Sequence, residues 1–209
     1  MLHDFVEAYD IHTCETNTIL ENIVSFFEQT YTPKPSGLKA FNRNRQKVCS
    51  TMTLSFGEDW EINESVYFFV NEAIKGYRNK YDYLNIIDKI SQWRVCPSYN
   101  IQRYEGEEEG FFSLHNETSG SYPYRILAWM VYLNNAKCGT EFPYQDRTVT
   151  PKTGRTVIWP AAWTHPHRGV TPNVGRKYIA TGWFYHLPKG EPKFDGRHPD
   201  EKRIQEIVV

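Results

Sequence analysis

Two short stretches hold the residues best suited to chemistry: FFSLHNE at positions 111–117 and THPHRG at 164–169. Side chains at i and i+2 of a strand share a face, so an extended 111–117 turns His115 and Glu117 the same way and Asn116 the other. A third ligand must come from another strand, and the second stretch offers His165 and His167. These two also share a face if their segment is extended, but Pro166 between them disturbs the geometry. One could then ligate while the other makes a supporting hydrogen bond. Two imidazoles and one carboxylate on one side of a metal leave positions open for substrate, oxygen or water, as in non-haem Fe(II) oxygenases. Zinc accepts the same three donors, so ligand type leaves iron and zinc both open. A bare His-x-Glu pair is also common on strands, where the histidine can simply bond the glutamate at a sheet edge.

The elements that must position these residues follow from periodicity. ETNTILENIVSFFEQT, 15–30, places Ile19, Ile23, Phe26 and Phe27 at helical spacing, and 62–81 reads as a second helix with a Phe, Val, Ile and Tyr face. A shorter helix is expected over 83–92 and a strand over 49–56. Between them, 31–47 combines two prolines and a glycine with Lys39, Arg43, Arg45 and Lys47. It reads as a loop whose cations either meet an acidic substrate or solvate a surface. From 99 to 187 the pattern becomes short strands punctuated by Gly, Pro, Asn and Asp, including FFSLHNE, YRILAWMVYLN and RKYIATGWFYHL. That argues for a sandwich or small barrel over an alternating βα fold. The expected organisation is one domain: a helical support region over 1–98, a catalytic core over 99–187 and a polar tail over 188–209. The tail ends in IQEIVV, a candidate cap for a sheet edge, and EGEEEG is a brief acidic turn.

Composition limits the partners. The chain has 209 residues, 40% hydrophobic and 23% charged, with 14 Tyr, 12 Phe and 6 Trp, which suits a folded protein rich in aromatic strands. A formal charge of -1 gives no argument for nucleic acid or an anionic membrane. The opening MLHDFVEAYDIHTCE lacks a basic region followed by an apolar run, and nowhere do 18 apolar residues occur together, so a cytoplasmic or other soluble intracellular location is expected. Cys14, Cys49, Cys96 and Cys138 form no CxxC, which points away from a structural zinc site or a disulfide scaffold. Sequons at Asn63 and Asn116 carry little weight without an export signal.

RYEGEEEGFFSLHNE, AWMVYLN followed by CGTEF, and HRGVTPNVGRKYIATGW occur in an order and spacing that resemble the prolyl 4-hydroxylase-like branch of the Fe(II)/2-oxoglutarate-dependent oxygenases, over residues 99 to 186. The resemblance implies a double-stranded β-helix, a cupin-like jelly roll, mainly β with N-terminal support helices. It assigns His115, Glu117 and His167 to iron and Lys177 to the distal carboxylate of 2-oxoglutarate, with Arg176 as the neighbouring rival and His165 as a supporting residue. Strand alternation puts Lys177, Ile179, Thr181 and Trp183 on one face and Arg176 on the other. Tyr132 matches a family position whose phenol helps bind the distal carboxylate, Tyr104 resembles a site-lining tyrosine, and Thr181 and Trp183 line or fill the inner pocket. The branch usually presents His-x-Asp, and here the acid is Glu117, one methylene longer.

The implied activity is hydroxylation of an unactivated C–H bond, most naturally of a peptidyl proline, with Fe(II) as cofactor, 2-oxoglutarate and O2 as cosubstrates, and ascorbate as a further candidate. The competing readings are a hydroxylase of a free amino acid or small metabolite, a non-catalytic ligand-binding β-sandwich, and a zinc hydrolase, against which no glutamate base on an HExxH helix is present. The partner is a peptide, protein or small-molecule substrate, and the state a monomer or small homo-oligomer.

Overall fold

The structure, a computed structural model, describes residues 3–32, 47–55, 57–170 and 175–187. In chain order its elements are β1 (Glu7–Asp10), α1 (Thr16–Thr30), β2 (Lys47–Val48), β3 (Ser50–Ser55), α2 (Trp60–Lys80), α3 (Tyr83–Ile90), β4 (Trp93–Val95) and β5 (Ser98–Glu105). There follow β6 (Gly110–Phe111), β7 (Arg125–Tyr132), β8 (Thr140–Phe142), a 3-10 turn (Pro143–Gln145), β9 (Arg147–Val149), β10 (Arg155–Pro160), β11 (Arg168–Gly169) and β12 (Arg176–His186).

The strands form three separate antiparallel sheets. Seven join in the order β1-β10-β7-β12-β5-β3, with β4 pairing the end of β12; β11-β8-β9 form a second sheet and β2-β6 a third. The expectation of a double-stranded β-helix is thereby corrected. Among the described residues β1 and β3 each have one partner and end the large sheet, and no ladder joins it to the smaller sheets, so the sheets do not close into a barrel or jelly roll. The result is a mixed α/β domain with an open sheet. Hydrophobic alternation states which side of a strand is buried; closure depends on which edges pair, and alternation carries no information about that.

Alternation along β12 sorts the two faces of the large sheet. Tyr178, Ala180 and Phe184 join the core that contains Leu20, Ile23 and Phe27 of α1, Val66, Tyr67 and Val70 of α2, and Trp129 and Val131 of β7. Ile179 and Trp183 fall on the opposite side with Tyr104, Met130, Tyr132 and Trp159, where Phe142 and Val149 of the three-stranded sheet meet them. Helices thus cover one face and the small sheets the other. At the centre of the helical face, Gly182 pairs with Trp129 across β7, and a Cβ there would lie 2.5 Å from Trp129 Cζ2. Only glycine lets the indole lie flat over β12.

α1 starts one residue later than expected and α2 two residues earlier, and each presents its apolar stripe to the sheet. β1 and β4 were not anticipated. EAYD is too short and too acidic to read as a strand, yet it runs antiparallel to β10 and is tied to it where Arg155 grips Asp10 through both carboxylate oxygens, at 2.7 and 3.0 Å. Most of the expected loop, including Lys39, Arg43 and Arg45, and the whole tail fall outside the described residues. Among the described residues, no helix is long and apolar enough to cross a membrane.

Candidate metal centre and its cavity

FFSLHNE is not the regular strand its sequence proposed. β6 stops at Phe111, and His115 pairs with His167 in an isolated antiparallel bridge: His115 N–H donates to His167 O at 3.1 Å and His167 N–H to His115 O at 2.8 Å. Two residues on, the Glu117 and Thr118 N–H groups both donate to Ala161 O, each at 3.0 Å, which ends any regular ladder. THPHRG is likewise a turn leading into the two residues of β11. The bridge alone places the two histidines opposite one another, and Glu117 swings in beside them.

The donors meet closely. Candidate ligand atoms of His115, Glu117 and His167 lie within 4.8 Å of one another, with Glu117 Oε1 at 3.6 Å from His115 Nε2 and 3.3 Å from His167 Nε2. Each imidazole is held by its other nitrogen: His115 Nδ1 lies 3.0 Å from Ser113 O and His167 Nδ1 3.1 Å from His165 O. A carbonyl only accepts, so this pairing selects the tautomer with the proton on Nδ1 and a lone pair on Nε2. Three lone-pair donors then face one another at separations longer than a charge-assisted hydrogen bond, an arrangement that suits a cation between them. Phe111 stacks on the His115 ring at 3.5 Å between centroids, and Trp159 and Phe142 flank His167 at 5.0 and 5.4 Å. Burial pushes the Glu117 carboxyl up, but in the metal-free chain hydrogen bonds and charge from imidazoles that carry a proton on Nε2 outweigh it and hold the group well below the usual carboxylate range; a cation would replace that proton.

The second oxygen of Glu117 is occupied differently. Oε2 accepts the Trp183 indole N–H at 2.7 Å and lies 3.6 Å from Arg125 Nη1, while the same Nη1 donates to the Glu117 backbone carbonyl at 3.2 Å. The Arg125 guanidinium is sandwiched between the rings of Trp183 and Tyr122, 3.5 and 3.9 Å from their centroids.

His115, Glu117, His167, Phe111, Trp159 and Trp183 line a cavity of ≈ 150 Å³ between the large sheet and the smaller ones. Lys177 opens into it from β12, 5% exposed, with Nζ 4.7 Å above the Tyr104 ring. No carboxylate lies within ion-pair distance of that ammonium among the described residues, and burial pulls its pKa below the ordinary lysine value. Thr181, Trp183 and Tyr104 line the same space. Arg176 does not: it is exposed at the start of β12 and pairs with Glu105. Tyr132 does not reach the cavity either, since its hydroxyl contacts Thr140 Oγ1 at 2.9 Å and Val149 O at 3.2 Å, and Thr140 is the residue that lines the wall. The His165 ring turns away, its Nε2 3.0 Å from Asp4 O, so its link to the centre runs through its backbone carbonyl.

Sequence reasoning missed Gln102, Asn100, Thr140 and Arg125. Asn100, Gln102 and Tyr104 alternate along β5 and line the cavity together, so the i, i+2 rule applied to YNIQRYE would have found the first two. Gln102 Oε1 accepts the Tyr104 hydroxyl at 2.6 Å. Nothing local marks Arg125 or Thr140.

Residues 99–185 match the family described as the 2OG-Fe(II) oxygenase superfamily. No curated protein matches the chain. Among solved structures, the chain resembles the viral collagen prolyl hydroxylase of Paramecium bursaria Chlorella virus-1 in its 2OG complex, at 15% identity and TM-score 0.60, over 88% of this chain and 97% of that one. A Pseudomonas putida prolyl-4-hydroxylase is similar at 11% identity and TM-score 0.60, over 88% and 94% of the two chains. A Trichoplax adhaerens prolyl hydroxylase, bound to a peptide of the hypoxia inducible factor oxygen degradation domain, follows at 13% identity and TM-score 0.55, over 97% and 87%. At such identities the likeness is one of fold.

Proposed function

We propose that the chain is an Fe(II)- and 2-oxoglutarate-dependent dioxygenase that hydroxylates a peptidyl proline, a reading supported by the match of residues 99–185 to the 2OG-Fe(II) oxygenase superfamily. We assign iron to His115 Nε2, Glu117 Oε1 and His167 Nε2, and the distal carboxylate of 2-oxoglutarate to Lys177. The observation that carries this reading is the convergence of those three donors in one cavity with a buried ammonium that has no carboxylate partner among the described residues.

When bound, the iron with 2-oxoglutarate and O2 supplies an oxidant that inserts one oxygen atom into a C–H bond, while the other leaves in succinate as CO2 is released. The chain's residues do the rest. Ser113 O and His165 O keep the protons of both imidazoles on Nδ1, so the Nε2 lone pairs point inward. Lys177, desolvated and resting on Tyr104, gains an anionic partner only when the cosubstrate arrives, which makes carboxylate binding favourable at a site otherwise costly to bury. Thr140 Oγ1, bonded to the Tyr132 hydroxyl, presents a hydroxyl to the same carboxylate, so Tyr132 acts through Thr140. Phe111, Trp159, Ile179 and Trp183 give the cavity apolar walls that exclude water and suit a pyrrolidine ring. The peptidyl-proline assignment draws further support from the substrates named for the similar folds, and ascorbate is proposed as the reductant that restores Fe(II) after uncoupled turnover.

The test is anaerobic Fe(II) and 2-oxoglutarate titration followed by admission of O2 with a proline-rich peptide. Succinate should form in step with a mass gain of one oxygen on proline. Succinate without any modified peptide points to a different substrate, and iron binding that survives His167→Ala overturns the ligand assignment.

A further inference from the structure

Glu117 stands where the related pattern has aspartate, and the residues around it account for the extra methylene. We propose that Trp183 and Arg125 form a clamp that fixes the outer oxygen of Glu117, so that this site is built for glutamate and offers the metal one carboxylate oxygen only. The inference rests on Glu117 being a metal ligand, as assigned above.

Both ends of the side chain are gripped. Indole Nε1 is a donor and nothing else, so its 2.7 Å contact commits Oε2 to Trp183. Arg125 spans the residue, with Nη1 3.2 Å from the Glu117 carbonyl and 3.6 Å from Oε2, and its guanidinium is immobilised between two aromatic rings. The Glu117 N–H is anchored separately on Ala161 O. With backbone and tip both fixed, the reach of the side chain is set, and Oε1 falls between the imidazoles. A carboxylate bound through both oxygens would fill a further coordination position, one that cosubstrate or O2 requires; the clamp prevents this by keeping Oε2 in its hydrogen bond from Trp183 and its ion-pair contact with Arg125. Aspartate, shorter by about 1.5 Å, could reach the indole or the imidazoles but not both. Trp183 and Arg125 are therefore positioning residues, acting on the metal through Glu117.

The experiment is Co(II) titration of the metal-free full chain, without cosubstrate, for the parent, Trp183→Phe, Arg125→Met, Glu117→Asp, the Glu117→Asp/Trp183→Phe pair and His167→Ala. Trp183→Phe keeps an aromatic face for Arg125 but removes the donor with half of the indole, so the metal-free melting temperature should fall only slightly while Co(II) affinity falls about 10- to 100-fold. The visible Co(II) spectrum should change as the released oxygen becomes a second ligand. Arg125→Met should weaken binding in the same direction. Glu117→Asp should weaken it too, although aspartate is itself a competent ligand, and the pair should bind no more weakly than the worse single variant, because both remove the same interaction. If Trp183→Phe binds Co(II) within twofold of the parent with an unchanged spectrum, or Glu117→Asp binds as tightly as the parent, the clamp is wrong. His167→Ala separates the two levels: lost binding there with unaffected clamp variants refutes the clamp alone, whereas retained binding refutes the ligand assignment beneath it.

Discussion

Lys177 shows how a single side chain can work for binding and against folding. Burial pulls its pKa down, so the unfolded chain holds that proton more tightly than the folded one. The cost is full below the depressed pKa and vanishes above the ordinary lysine value of about 10.4. Lys177→Met should therefore stabilise the metal-free protein at pH 7 by about 1–3 kcal/mol, an advantage that shrinks as pH rises toward 10.4. The same change should raise the 2-oxoglutarate concentration needed for half-saturation by about 100-fold, since a charge-assisted contact of about 3 kcal/mol is lost. Thermal melts across pH and cosubstrate titration check the two signs separately. At this scale the sequence was informative: alternation along β12 predicted that Lys177 and Arg176 would part, and one lines the cavity while the other pairs with Glu105 at the surface. It was silent on Arg125, which reaches Glu117 through a tertiary approach with no local period, and it aimed the Tyr132 phenol at the cosubstrate where the hydroxyl instead contacts Thr140 and Val149.

Elements are legible where one face is buried along a regular repeat. The stripes of α1 and α2 have such a face, and so do β5, β7 and β12. FFSLHNE failed as a strand because, beyond the Phe111–Lys47 pair that ends β6, its backbone finds partners among the described residues at His167 and Ala161, a tertiary fact that alternation does not contain. β1 failed in the opposite sense, since its pairing depends on ionic contacts made after folding. Arg155, then Lys152, hold the Asp10 carboxyl well below its usual range, so this stabilisation is present above the unfolded carboxylate pKa of about 3.9 and is lost as pH falls through the depressed folded value. Asp10→Asn should cost about 1 kcal/mol at pH 7, and the difference from the parent should fade as the pH drops well below 4, read by chemical denaturation at each pH. Gly182→Ala tests packing between β7 and β12. The added methyl meets the buried Trp129 ring, and a loss of about 1–3 kcal/mol is expected in the same assay.

Across the whole molecule, helices shield one face of an open sheet and leave the other to two small sheets that share no ladder with it, with the cavity between. Composition and strand count were compatible with that layering and with a closed roll alike, and only the pairing of edges decides between them. A metal bound in this seam adds a link between layers joined by side-chain packing and by hydrogen bonds such as those of the Tyr132 hydroxyl. Stability should then rise with metal, by about 2.7 kcal/mol when free Co(II) is 100-fold above its dissociation constant, and His167→Ala should abolish the rise. Hydrogen exchange at the His115 and His167 amides should slow in parallel, because each donates to the other's carbonyl. That reciprocal pair also bears on how the centre tolerates change. The spacing of the two imidazoles is set by a single rung between neighbouring backbones and not by the 52 positions that separate them in sequence. Insertions in the turn between Glu117 and β7, or between β8 and β10, can thus lengthen the path without moving one ring relative to the other, which leaves those connections free to be remodelled for new substrates while the centre keeps its dimensions.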